Sequence, residues 1–279
     1  MPTVLTPPIQ DVDLLLREHF GLPRFRPGQR RVIDALLGQG NALAVFPTGG
    51  GKSLCYQLPS LMFDGVTVVI SPLIALMKDQ IDYLRGRGIE AGRLDSSLTR
   101  EEHADVDRRL RAGTLKLLYV APERFNNERF LEQLHRTRIS LFAVDEAHCI
   151  SEWGHNFRPD YLKLADTARE LGVERILALT ATATPSVVDD ICASFGIPAQ
   201  NAVVTGFHRP NLFLSTHPTA AAQRDGVLVH RIRSRPPGAG IVYVTLQKTA
   251  ERVAKVLADA GLPARAYHAG MDTEARTEV

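Results

Sequence analysis

Short apolar runs rich in β-branched residues alternate along this chain with stretches whose apolar positions recur every three or four residues. The runs lie at 42–46, 66–70, 115–120, 139–144, 175–179 and 240–244. They are apolar at nearly every position, not at every second one, as in strands buried on both faces of a parallel sheet. Between them, Leu73, Leu76, Met77, Ile81 and Leu84 form one helical stripe, and Val106 and Leu110 form a shorter one on a charged segment. Pro27 stands where a helix begins, with Val32, Ile33, Leu36 and Leu37 following on one side. Repeated strand, helix and strand predict an α/β fold, a parallel sheet with helices on both faces.

The alternation breaks at Gly206-Phe207-His208-Arg209-Pro210, which divides the chain into 1–205 and 206–279. The second stretch is expected to hold strands at 211–216, 241–245 and 264–267 and a helix at 251–260. That is too little for a complete sheet, so the second domain is expected to be incomplete.

Composition sets few further bounds. The 279 residues are 44% hydrophobic and 23% charged, enough for a core, and the net charge of +2 leaves any nucleic-acid contact to local patches. Three cysteines, Cys55, Cys149 and Cys192, form no C-x-x-C pair, so neither a zinc knuckle nor a disulfide framework is expected. Asp11, Asp13 and Glu18 near the start are unlike a signal peptide, and no apolar run is long enough for a bilayer. A soluble, cytoplasmic protein is expected, nucleoid-associated if bacterial, with no membrane contact.

Two motifs carry chemistry. The run at 42–46 leads into Pro47-Thr48-Gly49-Gly50-Gly51-Lys52-Ser53. A glycine loop between strand and helix lets backbone N–H groups face phosphate oxygens. Lys52 is placed to neutralise phosphate charge and Ser53 to ligate magnesium. Phe46 stands where the strict pattern has its first glycine. The second motif is Asp145-Glu146-Ala147-His148, at the end of the run at 139–144. Asp145 is suited to the magnesium shell and Glu146 to activating water, while His148 is placed to reach the next motif. The other paired acids, Glu101-Glu102 and Asp189-Asp190, read as solvated helix faces.

Further segments carry a family resemblance. Phe25-Arg26-Pro27-Gly28-Gln29 precedes the loop. Cys149-Ile150-Ser151-Glu152-Trp153-Gly154-His155-Asn156-Phe157-Arg158-Pro159 follows the acidic box and holds the only tryptophan. The segment at 71–80, Ala121-Pro122-Glu123-Arg124 and Thr180-Ala181-Thr182-Ala183 complete the series in order. Together they resemble the RecQ branch of superfamily-two helicases, from about Leu14 onward. The resemblance implies a RecA-like P-loop NTPase domain followed by an incomplete second RecA-like lobe. It implies ATP with Mg2+, and single-stranded and forked DNA as partners, with 3′ to 5′ translocation in repair and recombination. By the same resemblance Arg26 and Gln29 contact adenine, and Thr48, Gly49, Gly50, Gly51, Lys52 and Ser53 hold phosphates. Lys78, Arg124, Trp153, Phe157 and Arg158 contact DNA, and Thr180 and Thr182 couple hydrolysis to movement. The chain departs from the family at Leu22, Asn156 and Val244, where tyrosine, aspartate and cysteine are usual. The family's second-lobe arginine and zinc-binding segment have no counterpart before Val279. The chain alone is therefore expected to hydrolyse ATP poorly and not to unwind DNA. An RNA helicase, and a nucleotide- and DNA-binding module without turnover, are the alternatives.

Overall fold

The computed structural model describes residues 11–151, 158–207, 209, 211–272, 276 and 279. They form two compact units, 1–210 and 211–279. The first begins with helices α1 (Val12–Phe20) and α2 (Gln29–Leu37). There follow β1 (Ala42–Val45), α3 (Leu54–Ser60), β2 (Val66–Ile70), α4 (Ile74–Arg85), β3 (Ala91–Leu94) and α5 (Arg100–Arg111). Next come β4 (Leu117–Val120), α6 (Glu128–His135), β5 (Ile139–Val144), α7 (Pro159–Glu170), β6 (Ile176–Thr180), α8 (Pro185–Phe195) and β7 (Ala202–Val204).

The seven strands form one parallel sheet in the order β3-β4-β2-β5-β6-β1-β7. The continuous apolar runs are explained by its two buried faces. Phe142 and Val144 of β5 enter one apolar cluster, with Leu43, Phe125, Tyr161 and Ile191. Leu141 and Ala143 enter the other, with Val32, Ile33, Phe46, Leu58 and Met77. Alternate side chains thus serve opposite layers, and the few polar residues on the strands, Thr67, Ser140 and Thr180 among them, are buried with the apolar ones.

Several expectations are corrected. The stripe on α4 is narrower than its pattern: Met77, Ile81 and Leu84 are buried, but Leu73 and Leu76 are exposed. Leu73 precedes the helix as its N-cap, which takes it out of the helical register. The edge strands β3 and β7 are unannounced, because β3 contains glycine and arginine and β7 has only three residues. Glu101 and Glu102 are exposed on their helix as expected, and Glu102 has a further role. It completes a capping box with Thr99 at the start of α5. Asp190 accepts a hydrogen bond from Ser151 Oγ at 2.7 Å.

The second unit departs furthest. It holds α9 (Arg224–Arg233) and α10 (Gln247–Asp259), with Arg252 paired to Asp225 and Arg233 donating to the Ala260 carbonyl. Among its described residues there is no strand, although strands are expected at 211–216, 241–245 and 264–267. Those segments leave Phe213, Ile241 and Tyr243 exposed, the first by 87% and the last by 89%. Their β-branched and aromatic residues favour extended backbone, yet a strand also needs a neighbour for its N–H and C=O groups. No helix among the described residues is long and apolar enough to cross a membrane.

Candidate nucleotide-binding site

The order β5-β6-β1 brings three strand ends side by side at the carboxyl edge of the sheet. Val45 pairs with Thr180, and Val144 with Ala178. Phe46 N donates to the Thr180 carbonyl at 3.2 Å. The glycine loop, the threonine segment and the acidic box are therefore neighbours, although the box and the threonine lie about a hundred residues and more beyond the loop. This edge is where ligands bind in open α/β sheets.

The loop turns on glycines. Gly49 and Gly51 have φ of 79° and 78°, and a Cβ on Gly50 would lie 2.8 Å from the Pro47 carbonyl. The segment at 25–29 braces it. Gly28, at φ 84°, lets the backbone pass so close to the Phe46 ring that a Cβ would lie 2.8 Å from it. Buried Phe46 thus anchors the loop where the strict pattern has glycine. Gln29 is only 2% exposed. Its Nε2 donates to the Gly51 carbonyl at 2.9 Å, and its Oε1 accepts from Arg26 N at 2.8 Å. Arg26 Nη1 donates to the Gly49 carbonyl. Lys52 Nζ donates to the Phe46 carbonyl at 3.3 Å, folded over the loop's entrance. Thr48 is exposed, and Ser53 half-buried just before α3.

In the acidic box Glu146 adopts φ 51°, ψ 40°, a left-handed conformation unusual for a side chain longer than asparagine. The turn is fixed from three sides. Asp145 N donates to the Ile70 carbonyl at 2.8 Å, and Glu146 N donates to Asp145 Oδ1 at 3.0 Å. Tyr161 Oη, from the buried face of α7, donates to the Asp145 carbonyl at 3.0 Å. His148 Nδ1 lies 3.2 Å from Glu146 Oε2 and 2.9 Å from Thr180 Oγ1. Thr180 Oγ1 in turn donates to the Thr182 carbonyl and accepts from its N–H.

The charges follow from these contacts. Burial, reinforced by Glu146, pushes the Asp145 carboxyl up to about 6. Glu146 is held below the usual carboxylate range by its bond to His148. His148 rises to about 9, through the Cys149 sulfur 3.9 Å from Nε2 and through Glu146. At neutral pH an imidazolium–carboxylate pair therefore stands beside a carboxyl that a cation would drive to its ionised form.

The donor set fits a nucleoside triphosphate with a hard divalent cation. A loop that admits no Cβ at Gly50, a cationic Lys52, the Ser53 hydroxyl and the Asp145 carboxylate supply phosphate donors and oxygen ligands. Among the described residues no cluster of three or more His, Cys, Asp or Glu could hold a metal by itself.

The residues assigned to DNA are less gathered. Lys78 is exposed on α4. Arg124 is half-buried, its guanidinium 5.6 Å from the Phe130 ring centre and its Nε buried without a hydrogen-bond partner. Arg158 is half-buried, its N–H on the Cys149 carbonyl at 3.0 Å. Trp153 and Phe157 lie outside the described residues. The sequence reading missed Tyr161 and the bond between Ser151 and Asp190. Nothing local marks Tyr161 beyond its helical register.

A model of the DEAD/DEAH box helicase family matches residues 26–191, from the arginine that caps the loop to the helix after the threonine segment. The chain belongs to the DEAD/DEAH box helicase family. Among curated proteins it is 42% identical to the ATP-dependent DNA helicase RecQ of Haemophilus influenzae over 265 residues, 95% of this chain and 42% of that one. It is 42% identical to the RecQ of Bacillus subtilis over 266 residues, 95% of this chain and 45% of the relative. The chain thus spans less than half the length of these relatives. Among solved structures, the DUF1998 helicase MrfA bound to DNA matches all of this chain and 40% of its own, with a TM-score of 0.70 at 16% identity. That likeness is one of fold.

Proposed function

We propose that this chain is the nucleotide-binding part of an ATP-dependent DNA helicase of RecQ type. What carries the reading is the unbroken contact set at the carboxyl edge of the sheet, from the glycine loop through Thr180 and His148 to Glu146. The similarity to RecQ proteins along 95% of the chain supports the choice of branch. Translocation from 3′ to 5′ and a preference for single-stranded or forked DNA belong to the proposal.

Lys52 leaves the Phe46 carbonyl to neutralise phosphate charge, and the loop N–H groups orient the chain of phosphates. Ser53 and Asp145 hold magnesium. Bound ATP supplies the γ-phosphoryl group that is transferred to water. Glu146, ionised and oriented by His148, accepts the proton of the attacking water. Gln29 keeps one N–H and one lone pair beyond its two bonds, the pair that an adenine edge takes. Leu22, 38% exposed, supplies an apolar surface near it in sequence. Thr180 and Thr182 link the box to the loop, and Lys78, Arg124, Trp153, Phe157 and Arg158 are the proposed DNA contacts.

The experiment is nucleotide binding and DNA-stimulated phosphate release by the wild type and by Lys52→Ala. Loss of a charge-assisted contact weakens binding of a labelled ATP analogue about tenfold or more. Equal binding by both proteins overturns the site. Stimulation by RNA, with none by single-stranded DNA, replaces the DNA reading by the RNA one.

A further inference from the structure

One part-buried polar contact joins two segments that the proposed function keeps separate. Gln57 lies on α3, one turn beyond Ser53, and its N–H donates to the Ser53 carbonyl at 3.0 Å. Its side chain is buried, and Nε2 donates to Gln80 Oε1 at 2.7 Å. Gln80 lies on α4, two residues beyond Lys78. Side chains two apart on a helix point to nearly opposite sides. Gln80 accordingly turns inward to α3, while Lys78 is exposed. Leu54, Tyr56 and Met77 on the same two helices belong to one apolar cluster with Tyr119, whose ring meets that of Tyr56 edge to face at 6.2 Å and whose hydroxyl lies beside Gln57.

An apolar side chain would fill the Gln57 site without the penalty of desolvating a buried amide. An amide pair adds direction and register, because its bond is made at one relative setting of the two helices. We propose that Gln57 and Gln80 form a positioning contact that transmits the state of the phosphate loop to the exposed side of α4. The inference rests on the proposed binding of ATP at the loop and of DNA at Lys78. Movement of Ser53 with the nucleotide shifts the first turn of α3 and hence Gln57. The bonded amide carries α4 with it, and α4 is a continuous twelve-residue helix that moves as one piece. Neither glutamine is among the residues proposed to touch either ligand.

The test is thermodynamic linkage in the purified chain. Affinity for a fluorescent oligothymidylate is measured by anisotropy, with and without a non-hydrolysable ATP analogue and magnesium. The factor between the two affinities is the coupling. In Gln57→Ala and in Gln80→Ala this factor is expected to fall about threefold or more, the scale of one buried hydrogen bond. Affinity for the analogue alone changes far less. The double variant is expected to lose no more than either single one. Gln80 is only half-buried, so Gln80→Ala keeps the test decisive if Gln57→Ala does not fold. An unchanged factor in Gln80→Ala, or losses that multiply in the double variant, overturns the proposal. If the wild type binds no analogue, or Lys78→Ala leaves DNA affinity unaltered, the underlying reading fails, and the proposal with it.

Discussion

Gly51→Ala tests the loop most directly, because two separate costs meet at that residue. Its φ of 78° is a conformation that costs an L side chain about 1–2 kcal/mol. The new Cβ would also lie 2.5 Å from Gln29 Nε2, so the buried amide must move and give up its bond to the Gly51 carbonyl, about 1 kcal/mol more. The total is about 2–3 kcal/mol. If the loop holds its shape, the cost falls on stability; if it relaxes, nucleotide affinity falls instead, by about 30- to 150-fold at the limit. Urea unfolding and titration with a fluorescent ATP analogue measure the two parts, and their sum is the quantity predicted. Two controls separate the causes. Gly49→Ala has the same backbone cost, at φ 79°, but nothing within 4 Å of the new Cβ, so its sum is expected to be smaller by the Gln29 share. Gly88→Ala, at φ 72° in the loop between α4 and β3, should reduce stability alone. A summed loss below about 1 kcal/mol in Gly51→Ala, or a loss in Gly49→Ala equal to it, refutes the bracing role given to Gln29.

Three other outcomes follow from the acidic box. Tyr161→Phe leaves the buried Asp145 carbonyl unpaired, so unfolding should cost about 1–3 kcal/mol less, read as a lower urea midpoint with unchanged slope; a wild-type midpoint removes Tyr161 from the support of Glu146. Thr180→Val keeps the shape of a buried side chain but removes the oxygen shared by His148 and Thr182, and should lose about 1–3 kcal/mol that Thr180→Ser largely retains; equal stability of all three proteins refutes the bridge. His148→Asn probes the ion pair by pH. A raised His148 stabilises fully below its ordinary value of 6.5 and loses that contribution as pH climbs through about 9, while the lowered Glu146 keeps its own above the ordinary 4.5. The stability gap between wild type and variant should therefore be widest near pH 5–6.5 and close toward pH 10, and a gap that widens with pH refutes the pairing.

The parts of this molecule that were legible in the sequence are those whose physics is local. The glycines at 49–51 declare their conformation, and a strand buried on both faces declares itself by being apolar at nearly every position. The chemistry at Asp145 and Glu146 sits at the end of such a strand, so pattern and motif point to the same place. Gln57, Gln80 and Tyr161 lacked any such signal. Each occupies an ordinary helical position, and its partner lies on another element, at a distance along the chain that no periodicity measures. Asp190 was misread for the same reason: a second acid on a helix looks solvated until Ser151 is brought to it. In the second unit the error runs the other way. The residues at 241–244 have strand propensity, but propensity describes only the willingness of the backbone to extend, and the ladder that makes a strand comes from its neighbours.

Spatial order then explains why Thr180 belongs between the two motifs that precede it in the chain. In sequence the loop comes first, the box second and the threonine last. In the sheet β6 is inserted between β1 and β5, so the threonine lies in the middle. Its backbone carbonyl takes the N–H of Phe46 on the loop side, and its hydroxyl reaches His148 on the box side. One residue thus touches the anchor of the phosphate loop and the partner of Glu146 at once. Phe46 cannot shift relative to the sheet without straining that carbonyl, and His148 cannot turn toward or away from Glu146 without changing the bond to that hydroxyl. A change at either motif is felt at β6 before it is felt at the other. The coupling role proposed for Thr180 and Thr182 is supported by the strand order, which places their segment between the phosphate loop and the acidic box.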